Sequence, residues 1–95
     1  MFFITLKFSE SRAKAPVLME AHNAWLKRGF DDGIFLLAGG LQPSAGGAVV
    51  AHNTSRAELE TRIQQDPFVA EGVVSADILE IAPARVDERL AFLKT

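Results

Sequence analysis

Two side chains, His22 and Asp66, have the chemistry and the spacing to act together on a proton. His22 lies on the apolar stripe of one predicted helix, and Asp66 lies on the inward side of a second, three residues after Ile63. A carboxylate that accepts from one imidazole nitrogen fixes the tautomer of the ring and leaves the other nitrogen free as a base or proton donor. No serine or cysteine nucleophile is evident beside the pair, so the arrangement is half of a catalytic triad.

Both residues also have an ordinary structural interpretation. His22 alone is typical of a core histidine with one hydrogen bond. Asp66 precedes Pro67 and is typical of a carboxylate at the end of a helix that accepts from nearby backbone N–H groups. A carboxylate at a helix C-terminus opposes the helix dipole, which favours a further use for Asp66.

Three further residues are weaker candidates for lining a pocket beside the pair, namely Trp25, Ser44 and Phe68. Trp25 is predicted to be a core residue, although a ring three residues after His22 would also wall a pocket there, and turn chemistry explains Ser44 equally well. The second histidine, His52, ends a predicted strand, and no third ligand stands at metal spacing. We therefore expect neither a metal site nor a cofactor.

Composition limits the class of protein. Ninety-five residues with 48% hydrophobic side chains suffice for one domain, with a core over residues 2–82 and an extension over residues 84–95. A net charge of −2 argues against nucleic-acid binding. The sequence shows no cysteine, no secretory signal pattern and no apolar run long enough for a membrane helix, so we expect a cytoplasmic protein with no membrane partner.

The hydrophobic pattern predicts an α+β domain in the order β-α-β-β-α-β with an extra C-terminal helix. Gly29 is predicted to stop the first helix, and Ser55 with Glu58 forms a capping box for the second. Glycine pairs at 39–40 and 46–47 are interpreted as a strand end and a hairpin loop. The predicted strands cover residues 2–8, 34–41, 48–52 and 73–81, and the predicted helices cover 16–28, 55–65 and 86–93.

Two long helices on one face of a four-stranded antiparallel sheet, a ferredoxin-like arrangement, is the simplest packing of this order. The other face of the sheet is then open, although the second and fourth strands carry apolar residues in both phases. Phe35 and Leu37 alternate with Ile34 and Leu36, for example. A strand that is apolar on both faces is covered on both. The sequence therefore predicts a homodimer through the open sheet face.

The chain resembles YCII-related (YciI-like) proteins over roughly residues 2–81. The resemblance rests on three segments: residues 21–27, residues 36–41 with Gly46-Gly47 after them, and residues 66–73. The last of these, Asp-Pro-Phe-Val-x-x-Gly-Val, is the most specific. The resemblance implies a ferredoxin-like fold of the dimeric α/β-barrel superfamily and a His-Asp pair at His22 and Asp66. The family is largely uncharacterised, and its relatives act on small molecules.

Three functions remain open at this point. The first is a small-molecule enzyme in which His22, oriented by Asp66, moves a proton in an isomerisation, elimination or hydrolysis. The second is a non-catalytic binding or accessory domain that keeps the pocket, and the third is a purely structural hydrogen bond between two helices. The sequence does not identify the small molecule.

Overall fold

The computed structural model describes residues 1–94, which form a four-stranded antiparallel sheet and the helices packed on it. The spatial order of the strands is β2-β3-β1-β4, and together with the chain order it confirms the predicted ferredoxin-like α+β fold. The elements are β1 (Phe2–Phe8), α1 (Ala15–Asp31), β2 (Phe35–Leu41), β3 (Gly46–Ala51), α2 (Arg56–Gln64), α3 (Pro67–Ala70) and β4 (Val74–Glu80).

The central strand β1 shows how the sequence builds the sheet. Its alternating side chains put Ile4 and Leu6 into the core, while Phe3 between them is 40% exposed on the opposite face. β1 pairs with β3 on one side and with β4 on the other. The remaining strand, β2, lies at one edge of the sheet and pairs with β3. One face of the sheet therefore packs on the helices, and the other is open in the single chain.

The first helix is longer than predicted because Gly29 does not end it. Gly29 is buried in the last turns of α1, where an added Cβ would lie 2.1 Å from the ring of Phe35. The glycine therefore permits close approach of helix and strand. The residue that follows the helix cap is Gly33, and its φ of 74° is the left-handed conformation typical of a helix stop.

The capping box of the second helix is confirmed. The Ser55 side chain accepts from the backbone N–H of Glu58, and the Glu58 side chain accepts from the backbone N–H of Ser55. The prediction for the residues after this helix was wrong in one respect. Asp66 does not end α2 but begins the short helix α3, which the sequence pattern had not indicated.

Two other elements, the third strand and the C-terminal helix, differ from their predicted bounds by more than one residue. Gly46 and Gly47 belong to β3 rather than to the hairpin loop, because they pair with Lys7 and Leu6 of β1. The C-terminal helix predicted over 86–93 is a 3₁₀ helix at Glu88–Lys94 with a kink inside it. The last residue of the predicted extension, Thr95, lies outside the described residues.

No helix within residues 1–94 is long and apolar enough to cross a membrane.

Candidate functional site

His22 of α1 and Asp66, at the start of α3, form a close pair. Nδ1 of His22 lies 2.8 Å from Oδ1 of Asp66. The Asp66 side chain is fully buried, and the His22 side chain is 12% exposed. An ionised carboxylate only accepts hydrogen bonds, so Nδ1 carries the proton in this bond. The other ring nitrogen, Nε2, is then the one that can accept a proton from a ligand.

The local sequence explains why Asp66 points at His22. Pro67 follows it, and a residue before proline is pushed to extended backbone, here with ψ of 122°. Proline also suits the first position of a helix. The Asp66 Oδ1 atom accepts from the backbone N–H of Phe68 at 3.0 Å and so caps α3. One carboxylate oxygen thus serves both the helix cap and the imidazole, while Oδ2 is buried without a hydrogen-bond partner among residues 1–94.

Aromatic rings hold the imidazole in place. The Phe68 ring stacks on His22 with centroids 4.0 Å apart and planes within 5°. Trp25 lies on another side of His22, with centroids 5.9 Å apart, and its indole N–H donates to the carbonyl of Arg62 at 2.9 Å. The ring of His22 is therefore fixed by one hydrogen bond and by stacking, which leaves little freedom to its second nitrogen.

A cavity of about 380 Å³ opens beside the imidazole, between α1 and the sheet. The helix contributes four side chains at the spacing i, i+3, i+4, i+7, which places them on one stripe: Met19, His22, Asn23 and Leu26. The sheet and α3 contribute mainly apolar or bare positions, which include Leu6, Ala38, Gly40, Gly47, Val49 and Phe68. Helix and sheet thus form two sides of a slot.

The cavity exists because the sheet lacks side chains under the helix. Gly40 and Gly47 are directly paired across β2 and β3, and Gly47 is paired in turn with the buried Leu6. Paired residues point to the same face, so both glycines lie on the helix side of the sheet. An added Cβ on Gly40 would meet only the Gly46 carbonyl oxygen, at 3.8 Å. Two facing glycines therefore leave space that side chains would otherwise fill.

The predicted pocket residues fall into two groups. His22 and Phe68 line the cavity, and Asp66 lies behind the imidazole. Trp25 and Ser44 do not line it. Trp25 is 1% exposed and packs into the core, and Ser44 is exposed in the turn between β2 and β3.

Most of the lining residues were not predicted from the sequence, and four of them are important for the shape and polarity of the cavity: Met19, Asn23, Gly40 and Gly47. The helical pattern predicts that Met19 and Asn23 lie to the side of α1 or outward, because the buried stripe that it indicates includes Leu18, Trp25 and Leu26. The pattern placed Gly40 at a strand end and Gly47 in the hairpin loop. The available signal was that two glycine pairs stand in neighbouring antiparallel strands, where they can face each other across the sheet.

The cavity has one titratable side chain among its lining residues, and that side chain is His22. Within residues 1–94, no group of three His, Cys, Asp or Glu side chains is arranged to hold a metal ion. His52 is not brought to His22 but contacts the ring of Phe92, with centroids 5.5 Å apart. Chemically, the site is a single oriented base or acid at the wall of a small apolar slot.

Comparisons with known proteins agree with this architecture. The family model for the YCII-related domain matches residues 1–82, so the C-terminal 3₁₀ helix lies outside the match. A similar solved structure is the 5-chloro-2-hydroxyhydroquinone dehydrochlorinase (TftG) from Burkholderia phenoliruptrix AC1100, in complex with 2,5-dihydroxybenzoquinone. The two are 16% identical with a TM-score of 0.69, over 85% of this chain and 93% of the other, which establishes a shared fold. Among curated proteins, no sequence matches.

Proposed function

The chain belongs to the family of YCII-related domains, and we propose that it is a small-molecule enzyme in which His22 transfers a proton. The observation that carries the proposal is the position of one imidazole. Its Nδ1 is bound to a fully buried carboxylate, and the same ring lines a cavity large enough for a small ligand. Pockets for small molecules are concave, mostly apolar and equipped with a few placed polar groups.

The geometry suits general acid–base catalysis. Nε2 takes a proton from the bound substrate, and the resulting imidazolium is stabilised by the Asp66 carboxylate on the other side of the ring. The same nitrogen then returns the proton to another atom or gives it to a leaving group. Such catalysis contributes roughly 10²- to 10⁴-fold to a rate. It applies to isomerisation, elimination or hydrolysis, since each needs a proton to be moved at a defined atom.

Elimination is the first reaction to test. The similar solved structure is that of a dehydrochlorinase, although the likeness at 16% identity concerns the fold. In an elimination of hydrogen chloride from a chlorinated hydroquinone, the reacting form is the keto tautomer, in which the chlorine-bearing carbon is tetrahedral. His22 takes the proton of the ring hydroxyl conjugated to that carbon, the electron pair of the O–H bond forms a C=O bond, the ring double bond shifts to the chlorine-bearing carbon, and chloride leaves to give a quinone. One base is enough for this step, and His22 is the one titratable group among the lining residues.

The test is a turnover assay on chlorinated hydroquinones that follows chloride release. We expect activity in the wild type and in His52→Ala, the matched control at the other histidine of the chain. His22→Ala and His22→Gln should lose on the order of 10²-fold or more. If His22→Gln folds and turns over substrate as fast as the wild type, His22 is not the base.

A non-catalytic role is the second candidate, and one observation favours it. The Asp66 Oδ1 atom both caps α3 and binds a side chain of α1, so the pair also ties two helices together. In that case the cavity binds its ligand without turnover. Ligand binding that His22→Gln leaves intact, with no conversion by the wild type, would support this alternative.

We also propose that a second copy of the chain covers the open face of the sheet. A row of apolar side chains crosses all four strands in register on that face: Leu37, Val50, Phe3 and Leu79. Leu37 is 57% exposed and Leu79 is 62% exposed in the single chain. A contiguous exposed apolar patch marks an interaction surface, and a flat sheet of the same kind is a complementary partner for it.

A further inference from the structure

We propose that Asn23 is the second polar contact of the ligand and determines specificity for it. The ligand class that fits is a flat, largely apolar ring with two oxygen substituents, one at His22 Nε2 and one at the Asn23 amide. This inference rests on the proposed function, because it takes the same cavity and the same base. It adds a residue and a class of ligand that the His22–Asp66 pair alone does not specify.

The position of Asn23 on α1 places it beside the ligand cavity. Asn23 lies next to His22 in the chain and belongs to the same cavity-lining stripe. Adjacent side chains on a helix point in different directions, but His22 and Asn23 both border this cavity, so one ligand can contact both polar ends. Among the lining residues, His22 and Asn23 carry the side-chain nitrogen and oxygen atoms. A ligand that fills the cavity thus meets two hydrogen-bonding side chains.

The surroundings of Asn23 leave its amide available to a ligand. Its neighbours on the stripe are the apolar Met19 and Leu26, and its amide has no hydrogen-bond partner within the described part of the chain. Asparagine is a poorer helix former than most residues, and this one stands in the middle of a long helix. An amide can both donate and accept, so it can bind a hydroxyl or a carbonyl oxygen.

The shape and charge of the cavity define the ligand. Its floor is bare backbone at Gly40 and Gly47, and the parallel rings of His22 and Phe68 form one wall. Such a slot favours a flat ring that can stack or lie on the floor. No lysine or arginine is among the lining residues, so a phosphate or another strongly anionic ligand would find no paired charge there. At about 380 Å³ the cavity is at the small end of ligand pockets.

Three ring probes of similar shape test the proposal by NMR titration of the full chain: hydroquinone, p-cresol and p-xylene. They carry two, one and no hydroxyl groups. Asn23→Ala should weaken hydroquinone binding about 3- to 10-fold, the range of one neutral hydrogen bond, and leave p-xylene binding unchanged within about twofold. Glu20→Ala is the matched control, an exposed residue of α1 outside the cavity, and should change neither affinity.

The outcomes separate this inference from the proposed function. If His22→Gln weakens hydroquinone binding and Asn23→Ala does not, the role of Asn23 is overturned while the base at His22 stands. If Asn23→Ala weakens p-xylene and hydroquinone equally, the residue acts by packing, which also overturns it. If hydroquinone binds wild type no better than p-xylene, the ligand class is wrong. Asn23→Ala is expected to fold, because Asn23 is exposed and alanine is the better helix former.

Discussion

The Asp66 carboxylate has two roles, since it caps α3 and binds the His22 imidazole, and replacement of Asp66 separates the contribution of its hydrogen bonds from that of its charge. In Asp66→Ala, α3 loses its N-cap acceptor for the Phe68 N–H, and the Nδ1–H of His22 loses its acceptor at a site that is 12% exposed. In Asp66→Asn, the amide oxygen has the same shape and can still accept both hydrogen bonds. The alanine variant therefore tests the hydrogen bonds, and the asparagine variant tests the charge.

The structure sets the expected size of each effect. Loss of a cap costs about 1 kcal/mol, and a buried donor left without an acceptor costs about 1–3 kcal/mol. Removal of the unpartnered Oδ2 returns part of this, since burying an unpaired polar atom is itself unfavourable. The net expectation is a loss of about 2 kcal/mol for Asp66→Ala and about 1 kcal/mol for Asp66→Asn, where an amide N–H2 group takes the place of the buried Oδ2.

Urea denaturation followed by far-UV circular dichroism measures both free energies of unfolding. Thermal unfolding should agree, because a domain of this size shifts its Tm by roughly 4–8 °C per kcal/mol. Turnover should show a different pattern, with both variants impaired despite their different stabilities. The inference that one Asp66 oxygen stabilises both α3 and the His22 ring is wrong if Asp66→Ala is as stable as Asp66→Asn. It is also wrong if Asp66→Ala lowers the free energy of unfolding by less than about 1 kcal/mol.

Three other predictions follow from single elements of the fold. Ser55→Ala should cost about 1 kcal/mol in urea denaturation, while Thr54→Ala, whose hydroxyl caps nothing, should cost little. Gly40→Val should fill the cavity and weaken ring binding by NMR without loss of stability, because a Cβ there meets open space. Leu37→Val, on the opposite face of β2 and outside the cavity lining, should bind as the wild type does; equal binding by both variants would show that the floor lies elsewhere. Leu79→Glu should shift the mass found by light scattering from dimer to monomer; a wild type that is already monomeric at micromolar concentration rules the dimer out.

Much of the fold could be predicted because local patterns and tertiary packing agree. The alternation in β1 puts Ile4 and Leu6 inward as the pattern indicates, and the capping box at Ser55 needs only residues near it in the chain. The pairing of His22 with Asp66 was also predicted, although Asp66 was assigned to the end of α2 and in fact lies at the start of α3, close to the same side of the sheet. The strand alternation and the capping box depend on local chemistry, which a sequence displays directly.

The rest depends on contacts between distant segments. The cavity floor requires Gly40 and Gly47 to stand opposite each other, and only the strand register establishes that. Asp66 could be given to the wrong helix because a proline after it can end one helix or begin another. Gly29 resembled a helix stop, and its actual use is the close approach of Phe35, a contact that local sequence does not display.

The most direct test of the central claim is the protonation pattern of the His22 ring. The chain has two histidines, so long-range ¹H–¹⁵N correlation spectra contain two imidazole patterns, and His22→Gln assigns them. The account predicts that neutral His22 carries its proton on Nδ1, where Asp66 accepts it, and that a bound hydroxylated ring shifts the Nε2 resonance. A proton on Nε2 in the neutral ring, or an Nε2 resonance that no bound ligand moves, would contradict the assignment of His22 as the base facing the cavity.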